Sequence, residues 1–417
     1  MSRLWKRIVL TALVATSFSA QASAQDISFS EAELVKIGKS VAFHSVGSLS
    51  DGSAVVVTSP SSTRGKVRGF ELSKIVNKQP VLLASFEAKP LSISAKYFSL
   101  REAKIQVDGN DNIIVIYNVA TYGNKNDADT GAELQIAAFT AKGVLKYSKL
   151  LSKTKVESYI EDIGASILPS GNILSVYSLK TSKKADVFMV EFAPNGDVIK
   201  SQQVSDAADP QRKNDGGLTF NVLRSGNSLA IGSSGQYRII WSHEKAFKNG
   251  SFSVSVAVAT YGRSGKRKNV VYIKGKKNSY NTSLSTFFRE GGGSTDVVMT
   301  GSLGSAEVKF YREFETGDRE LVRRRLAGSQ EGVWHGMVQF KDQYAIYTTQ
   351  HSSFNCYLSY TNISNGDAVG AVRLNNGRLA NKCNGGTSIK MADGSIGSLI
   401  SVSDDNIGTY FLRHKSD

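Results

Sequence analysis

The sequence predicts an all-β chain folded as a seven-bladed β-propeller. Each blade is a four-stranded antiparallel sheet, and an N-terminal strand joins the last blade to close the ring. Three observations carry that expectation. Seven times a β-type run breaks at a small polar turn and resumes as a second apolar run: at Asp51-Gly52, Asp108-Gly109, Ser170-Gly171, Ser225-Gly226, Glu290-Gly291, Lys341-Asp342 and Asp393-Gly394. Successive turns lie 51 to 65 residues apart, close to the period that marks propellers and other arrays. Glycine is plentiful (38) and proline scarce (6), as many short strands joined by tight turns require.

In chain order, the first element is a targeting segment. Arg3, Lys6 and Arg7 precede an apolar stretch from Ile8 to Ala20, and Ala22-Ser23-Ala24 supplies a small-x-small cleavage site before Gln25. This is the pattern of a secretory signal peptide. Residues 1–24 are therefore expected to be removed and the protein exported, to the periplasm or beyond the cell. The apolar stretch is too short to span a bilayer, and no transmembrane segment is expected elsewhere. Residues 25–417 are expected to form a single domain, because blades bury their faces only by stacking on one another.

The third unit is the clearest copy of the repeat. Ala165–Leu168 reads as an inner strand, Pro169-Ser170-Gly171-Asn172 as its turn and Ile173–Tyr177 as the next strand. A loop carrying Lys180, Lys183 and Lys184 leads to Asp186–Phe192, and Pro194-Asn195-Gly196-Asp197 turns the chain into Val198–Val204. Asn-Gly between alternating apolar residues is a strong hairpin signal, because both turn positions need positive φ. The second turn recurs at Lys142-Gly143, Asn249-Gly250, Thr316-Gly317 and Asn365-Gly366, and is not evident in the first unit. In the last unit Thr387–Met391, Ile396–Val402 and Thr409–His414 account for three strands, and Ile27–Ile37 is expected to supply the fourth. Closure of this kind leaves only short, protected edges.

In this strand-turn rhythm the mature chain resembles β-propeller repeat proteins of the bacterial cell envelope. The Trp-Asp ending of WD repeats, the Asp boxes of sialidases and the tryptophan docking motifs of quinoprotein dehydrogenases are absent.

The formal net charge is +15, and +12 without the three signal cations. Such a surface attracts polyanions. The charge is concentrated: from Arg263 to Arg325 there are 14 cations and 7 anions. Arg263, Lys266, Arg267, Lys268, Lys274, Lys276 and Lys277 follow one another without an acid, and Arg323, Arg324 and Arg325 close the stretch. This reads either as a polyanion-binding edge on the fourth and fifth blades or as strand edges guarded by solvated Lys. Nucleic acid is not the expected partner, because aromatic residues are not regularly interleaved with the cations.

Propeller ligands meet the face opposite the hairpin turns, at the mouth of the central channel. Just ahead of the expected inner strands stand His44, Arg101, Asp162, Asp215, Asn281, His335 and Asn384. A polar ring of this kind either binds a sugar or small anion or serves neighbouring loops and channel water. The expected second-to-third-strand loops add Tyr122, Lys183, Lys184, Tyr237, Arg238, His351 and Asp404-Asp405. The His, Tyr and Arg set loosely resembles the apparatus of propeller-fold polysaccharide lyases. That resemblance implies His335 or His351 as base, Tyr122 or Tyr237 as acid and Arg101 as carboxylate clamp.

Asn124 to Glu133, with Asp127, Asp129 and Gly131, spaces oxygen ligands as calcium loops do but lacks the full set, so it reads as a solvated loop. His/Cys spacing for zinc is missing. No metal and no cofactor are expected. Cys356 and Cys383 are the only cysteines, and in an exported protein they read as one disulfide, pinning the sixth blade to the seventh.

No motif names a reaction. The sequence is read as a non-catalytic binding or scaffold protein of the cell envelope or extracellular matrix, recognising an anionic polysaccharide or another envelope component. The partner could also be another envelope protein. The alternative is a lyase or other enzyme acting on acidic polysaccharide.

Overall fold

The computed structural model describes residues 33–38, 44–59, 67–123, 129–154, 158–181, 184–205, 218–224, 228–247, 252–274, 284–288, 295–300, 307–312, 320–325, 332–340, 343–350, 355–362, 368–373, 383–402 and 408–414. Every regular element among them is a strand. None is a helix long and apolar enough to cross a membrane.

After β1 (Glu33–Gly38), the strands β2 (His44–Ser48), β3 (Ala54–Thr58), β4 (Gly69–Val76) and β5 (Gln79–Glu87) form one antiparallel meander. A second comprises β6 (Tyr97–Val107), β7 (Ile113–Tyr122), β8 (Asp129–Phe139) and β9 (Leu145–Lys153). The third runs through β10 (Ser158–Ile167), β11 (Ile173–Thr181), β12 (Ala185–Phe192) and β13 (Val198–Gln203). In the fourth, β14 (Leu218–Val222) and β15 (Leu229–Ile231) both pair with β16 (Tyr237–Ala246), followed by β17 (Phe252–Tyr261) and β18 (Arg267–Lys274). A parallel pairing of Ala185 with Phe220 merges the third and fourth into one nine-stranded sheet.

The next sheet holds β19 (Leu284–Phe288), β20 (Thr295–Thr300), β21 (Glu307–Arg312) and β22 (Glu320–Arg325). It is followed by β23 (Gly332–Phe340), β24 (Gln343–Gln350), β25 (Asn355–Asn362) and β26 (Ala368–Arg373). The last sheet contains β27 (Cys383–Lys390), β28 (Ile396–Val402) and β29 (Gly408–His414). Its outermost strand is β1, antiparallel to β29, with Leu34 opposite Leu412 and Val35 opposite Phe411. The expected contribution of Ile27–Ile37 is thus met by Glu33 onward; residues 27–32 lie outside the described residues.

One turn recurs through these sheets. The first residue donates its N–H to the carbonyl four residues on, and the fourth donates back to the first, as in Leu168–Asn172, Thr140–Val144 and Met391–Ser395. The fourth residue takes a left-handed backbone, with φ +84° at Gly171 and +81° at Gly143. This is the three-residue hairpin loop whose left-handed position favours glycine. In the second unit that position belongs to Asp111 (φ +58°), not to the Gly109 singled out from sequence. The first unit's second turn is Asn77-Lys78, at φ +48° and +61°, where lysine conceals a signal usually written Asn-Gly.

The fourth unit corrects the expected register. The sequence places the turn between its first two strands at Ser225-Gly226, which lies outside the described residues, but β15 runs against the same strand as β14 and continues the innermost strand. The hairpin turn comes later, at Gly232–Gln236. Asn249-Gly250 accordingly falls between β16 and β17, and the last hairpin turn is Gly262–Lys266.

The core lies between consecutive sheets. The whole of β7 is buried, with its side chains alternating between two clusters. Val115, Tyr117 and Val119 pack with Phe70 and Leu72 of the first unit, whereas Ile114 and Ile116 pack with Ile173 and Phe192 of the third. Period-2 alternation on a strand covered on both faces is what face-to-face stacking of sheets demands. In the same way Trp241 and Ile239 pack on Leu174 and Val176 of the third unit, and Ile240 and Val256 on Leu284 of the next.

Outer strands hold the following unit's turn. Gly143 sits against the Leu83 backbone, the Tyr147 hydroxyl donates to the Pro194 carbonyl at 2.6 Å, and Lys200 Nζ donates to the Gly265 carbonyl at 3.0 Å. Innermost strands touch in succession: β27 with β2, β2 with β6, β6 with β10, β10 with β15, β15 with β19, β19 with β23, and β23 with β27.

Candidate functional site

Four of the sequence-derived candidates stand at one structural position. Along β6 the register with β7 runs from Leu100–Val119 to Glu102–Asn118, skipping Arg101. Along β10 it skips Asp162 and Ile163, along β23 it skips His335, and along β27 it skips Asn384. These residues lie within the innermost strands rather than ahead of them, because each strand continues through a bulge. An extra residue on one strand bends the chain and re-aims its side chain.

His44 opens β2 in unbroken register with Thr58. Asp215 and Asn281 lie outside the described residues, as do Lys183, His351 and Asp404-Asp405.

Around the bulges of β6 and β10 the chemistry is dense. Glu102 Oε1 is 3.1 Å from Lys104 Nζ, and Oε2 accepts the Ile163 N–H at 3.1 Å. The Glu102 N–H donates to Asn118 Oδ1, and Asn118 Nδ2 donates to the Ile160 carbonyl at 2.7 Å. The second and third units are therefore joined beside the bulge. Asp162 sits between them with a left-handed backbone, φ +51°. Burial, then the charges of Glu102 and Glu161, push its carboxyl up to about 7. No hydrogen bond to that carboxyl is found among the described residues.

A cavity of about 280 Å³ opens between innermost strands, lined by Ser45, Glu102, Lys104, Asp162, Arg224 and Ser388 among others. Arg224 pairs with Glu244. A slot of about 330 Å³ between the second and third units shares Glu102 and Asp162 and adds Arg101. Arg101 is exposed, its guanidinium 5.9 Å from the centre of the Tyr122 ring.

Glu102, Lys104 and Arg224 were not among the sequence candidates. The signal for the first two was present: Glu102-Ala103-Lys104-Ile105-Gln106 alternates polar with apolar on an innermost strand, which turns alternate side chains to the cavity.

Tyr122 is the last residue of β7 and buried, not a loop residue. Tyr237 and Arg238 begin β16, next to the hairpin turn Gly232–Gln236 and at the opposite end of the sheet from the bulges; the shifted register of the fourth unit is the reason. Tyr237 stacks on Tyr261 with ring centres 4.7 Å apart, and burial raises its hydroxyl far above the usual range. The structure thus brings Arg101 and Tyr122 together and separates Tyr237 from them. Lys184 lies 3.4 Å from Asp186.

In the calcium-like stretch Asp127 lies outside the described residues, while Asp129 and Gly131 are part of β8. The Glu133 carboxylate accepts the N–H groups of Leu91, Ser92 and Ile93 at 2.7 Å. Burial alone would raise its pKa, but these bonds outweigh burial and hold it below the usual carboxylate value. No cluster of three metal-ligating groups occurs among the described residues.

The basic stretch occupies outer strands. Arg263 and Lys266 lie exposed in the Gly262–Lys266 turn, and Lys268 is exposed on β18. Arg267 is partly spent, donating to the Val204 carbonyl at 3.2 Å. Lys274 ends β18, and Arg323, Arg324 and Arg325 end β22. Lys276 and Lys277 lie outside the described residues. Cys356 is buried in β25, and Cys383 opens β27.

The chain matches no protein-family model and no curated protein. Among solved structures it is similar to a protein of unknown function from Dyadobacter fermentans, at 8% identity and a TM-score of 0.50, over 92% of this chain and 98% of that one. A Hadza microbial sialidase aligns at 10% identity and a TM-score of 0.49, over 83% of this chain and 73% of that one. An α-L-arabinanase from Penicillium chrysogenum aligns at 8% and 0.47, over 84% and 99%. Likeness at this level concerns the fold alone: an all-β, propeller-like succession of four-stranded antiparallel sheets.

Proposed function

We propose that the protein is an exported, non-catalytic binding or scaffold protein of the cell envelope or extracellular matrix. It holds an anionic glycan, or another anionic envelope component, along the basic outer strands β18 and β22. The observation that carries this reading is the exposure of Arg263, Lys266 and Lys268 on one turn and its adjoining outer strand, where a polymer can lie against several cations at once. The channel-mouth ring of His44, Arg101, Asp162, Asp215, Asn281, His335 and Asn384 is the second contact in this reading.

The scaffold is one seven-bladed ring of residues 25–417, following a removed signal peptide of residues 1–24. The succession of touching innermost strands and the pairing of β1 with β29 support that closure. A Cys356–Cys383 bridge fits the same arrangement, since β25 and β27 touch and no free cysteine is found among the described residues.

The test is retention on an immobilised anionic polysaccharide. Retention should fall steeply with salt, and the triple reversal Arg263→Glu, Lys266→Glu and Lys268→Glu should release the protein at a clearly lower salt concentration. Unchanged retention by the triple variant would remove the edge from the reading. The alternative enzyme rests on Arg101 beside Tyr122, the corner of the lyase-like set that stays together. It requires an unsaturated, ultraviolet-absorbing product from uronate polymers that disappears in His335→Ala.

A further inference from the structure

We propose that the paired bulges of β6 and β10 form a subsite for a neutral, hydroxyl-rich ring, a saccharide unit held by the Asp162 and Glu102 carboxyl groups inside the channel cavity. The proposal rests on the reading that the ligand is a glycan, and adds which part of it enters the channel.

The geometry points to a neutral group. Asp162 lines both the cavity and the adjoining slot, so a ligand from either side meets it. Its carboxyl is without a hydrogen bond among the described residues, while Glu102 is already oriented by Lys104 and the Ile163 N–H. One carboxyl is therefore positioned and the other is open to a partner.

An anionic sugar would approach the Glu102 carboxylate in the cavity, with Glu161 at the adjoining slot, and like charges at that range repel. Hydroxyl groups, by contrast, both donate and accept. They suit a wall that alternates Glu102 and Asp162 with Lys104, Arg224, Ser45 and Ser388. Ile105, Ile163 and Leu229 provide apolar surface beside them. The cavity volume, about 280 Å³, approaches the lower end of small-ligand sites, roughly 300 Å³.

Asp162 in its neutral form can donate as well as accept, which makes the subsite proton-linked. The charged and titratable groups facing it are Arg101, Glu102 and Lys104 from β6, Tyr159 and Glu161 on its own strand and Arg224 from the segment after β14. Among the described residues, β2 and β27 contribute Ser45, Val46 and residues 386–389, none of which titrates. The raised value of about 7 sets the window. Affinity should be full below it and fall by about tenfold per pH unit above it, as one proton must be taken up on binding.

Saturation-transfer NMR with the neutral disaccharides maltose, cellobiose and diacetylchitobiose tests this at pH 5.5 and 8.5. The wild-type protein should bind at least one of them at pH 5.5, about tenfold or more weakly at pH 8.5. Asp162→Asn keeps a donor and an acceptor but cannot titrate, so its binding should be equal at the two pH values. Glu102→Gln should weaken binding at both. No transfer to any of the three at pH 5.5 overturns the proposal, and so does an Asp162→Asn profile that still falls with pH.

The same samples on the anionic column separate the two readings. Lost disaccharide binding with intact column retention removes only the subsite. Lost retention with intact disaccharide binding removes only the basic edge.

Discussion

The aspartates of the hairpin turns and Asp162 at the β10 bulge behave in opposite ways. At the hairpin end, Asp51 accepts from Ser53 and Lys74, Asp108 from the Asn110 and Asn112 amides, and Asp111 from Ser50. In the same way Asp197 takes Lys149, and Asp393 takes Ser395 and Arg413. The Lys74 and Ser53 bonds hold Asp51 down at about 2, and Asp197 is lowered by its bond to Lys149. At the bulged end Asp162 lacks such donors, and burial with two neighbouring carboxylates drives it up to about 7. A turn exposes backbone N–H groups that a carboxylate can cap. The bulge on β10 leaves the Asp162 side chain half-buried without supplying a partner. The acids of the hairpin turns therefore serve the fold, as do Glu133 and Asp186 near the bulges, whereas Asp162 is available to a ligand.

The strongest way to break this contrast is at a turn. Gly143 has φ +81°, and a Cβ there would stand 2.4 Å from the Leu83 carbonyl oxygen of the neighbouring unit. Gly143→Val should cost about 3 kcal/mol or more in denaturant unfolding. Gly109→Ala, where nothing lies within 4 Å, should be near neutral. Equal effects would mean that hairpin turns do not hold successive sheets together.

Asp162→Asn addresses the opposite end. Because the folded-state value is raised, the folded protein binds the proton more tightly than the unfolded chain. Stability is then lost as pH rises from about 4 to about 7. Removing the titration should stabilise the protein by about 1–3 kcal/mol at pH 8 and markedly less at pH 4. Asparagine also tolerates the left-handed backbone, so it is the difference between the two pH values that reports the carboxyl. A gain independent of pH would assign the effect to backbone conformation.

The smallest effect belongs to Asp51→Asn. Its lowered value contributes stability above about pH 4 that disappears as pH falls towards 2. Solvent screening keeps the contribution below about 1 kcal/mol. A larger loss at neutral pH would show the hairpin-end acids to be more than local caps.

Much of the architecture was legible because turns are written locally. Gly52, Gly171 and Gly394 stand where a left-handed residue is needed, and the near-continuous apolar run Ile113–Tyr122 marks a strand covered on both faces. The fourth unit misled because Ser225-Gly226, outside the described residues, has turn composition, whereas the hairpin turn, Gly232–Gln236, lies a few residues on. That slip carried Tyr237 and Arg238 to the wrong end. Of the site, Arg101, Asp162, His335 and Asn384 were reached through their equivalent places in the repeat. Glu102 and Arg224 were not, because their relation to Asp162 crosses between units.

By itself the amino-acid order determined the strand rhythm, the turn positions in most units and the outer strands that carry the basic residues. These depend on φ preferences and period-2 alternation, which act over a few neighbouring residues. Tertiary structure alone decided that bulge residues on separate strands share one end of the sheets, and that Asp162 meets Glu102 there. A bulge leaves no mark in composition, and the field on a carboxyl is set by charges brought close from some sixty residues away.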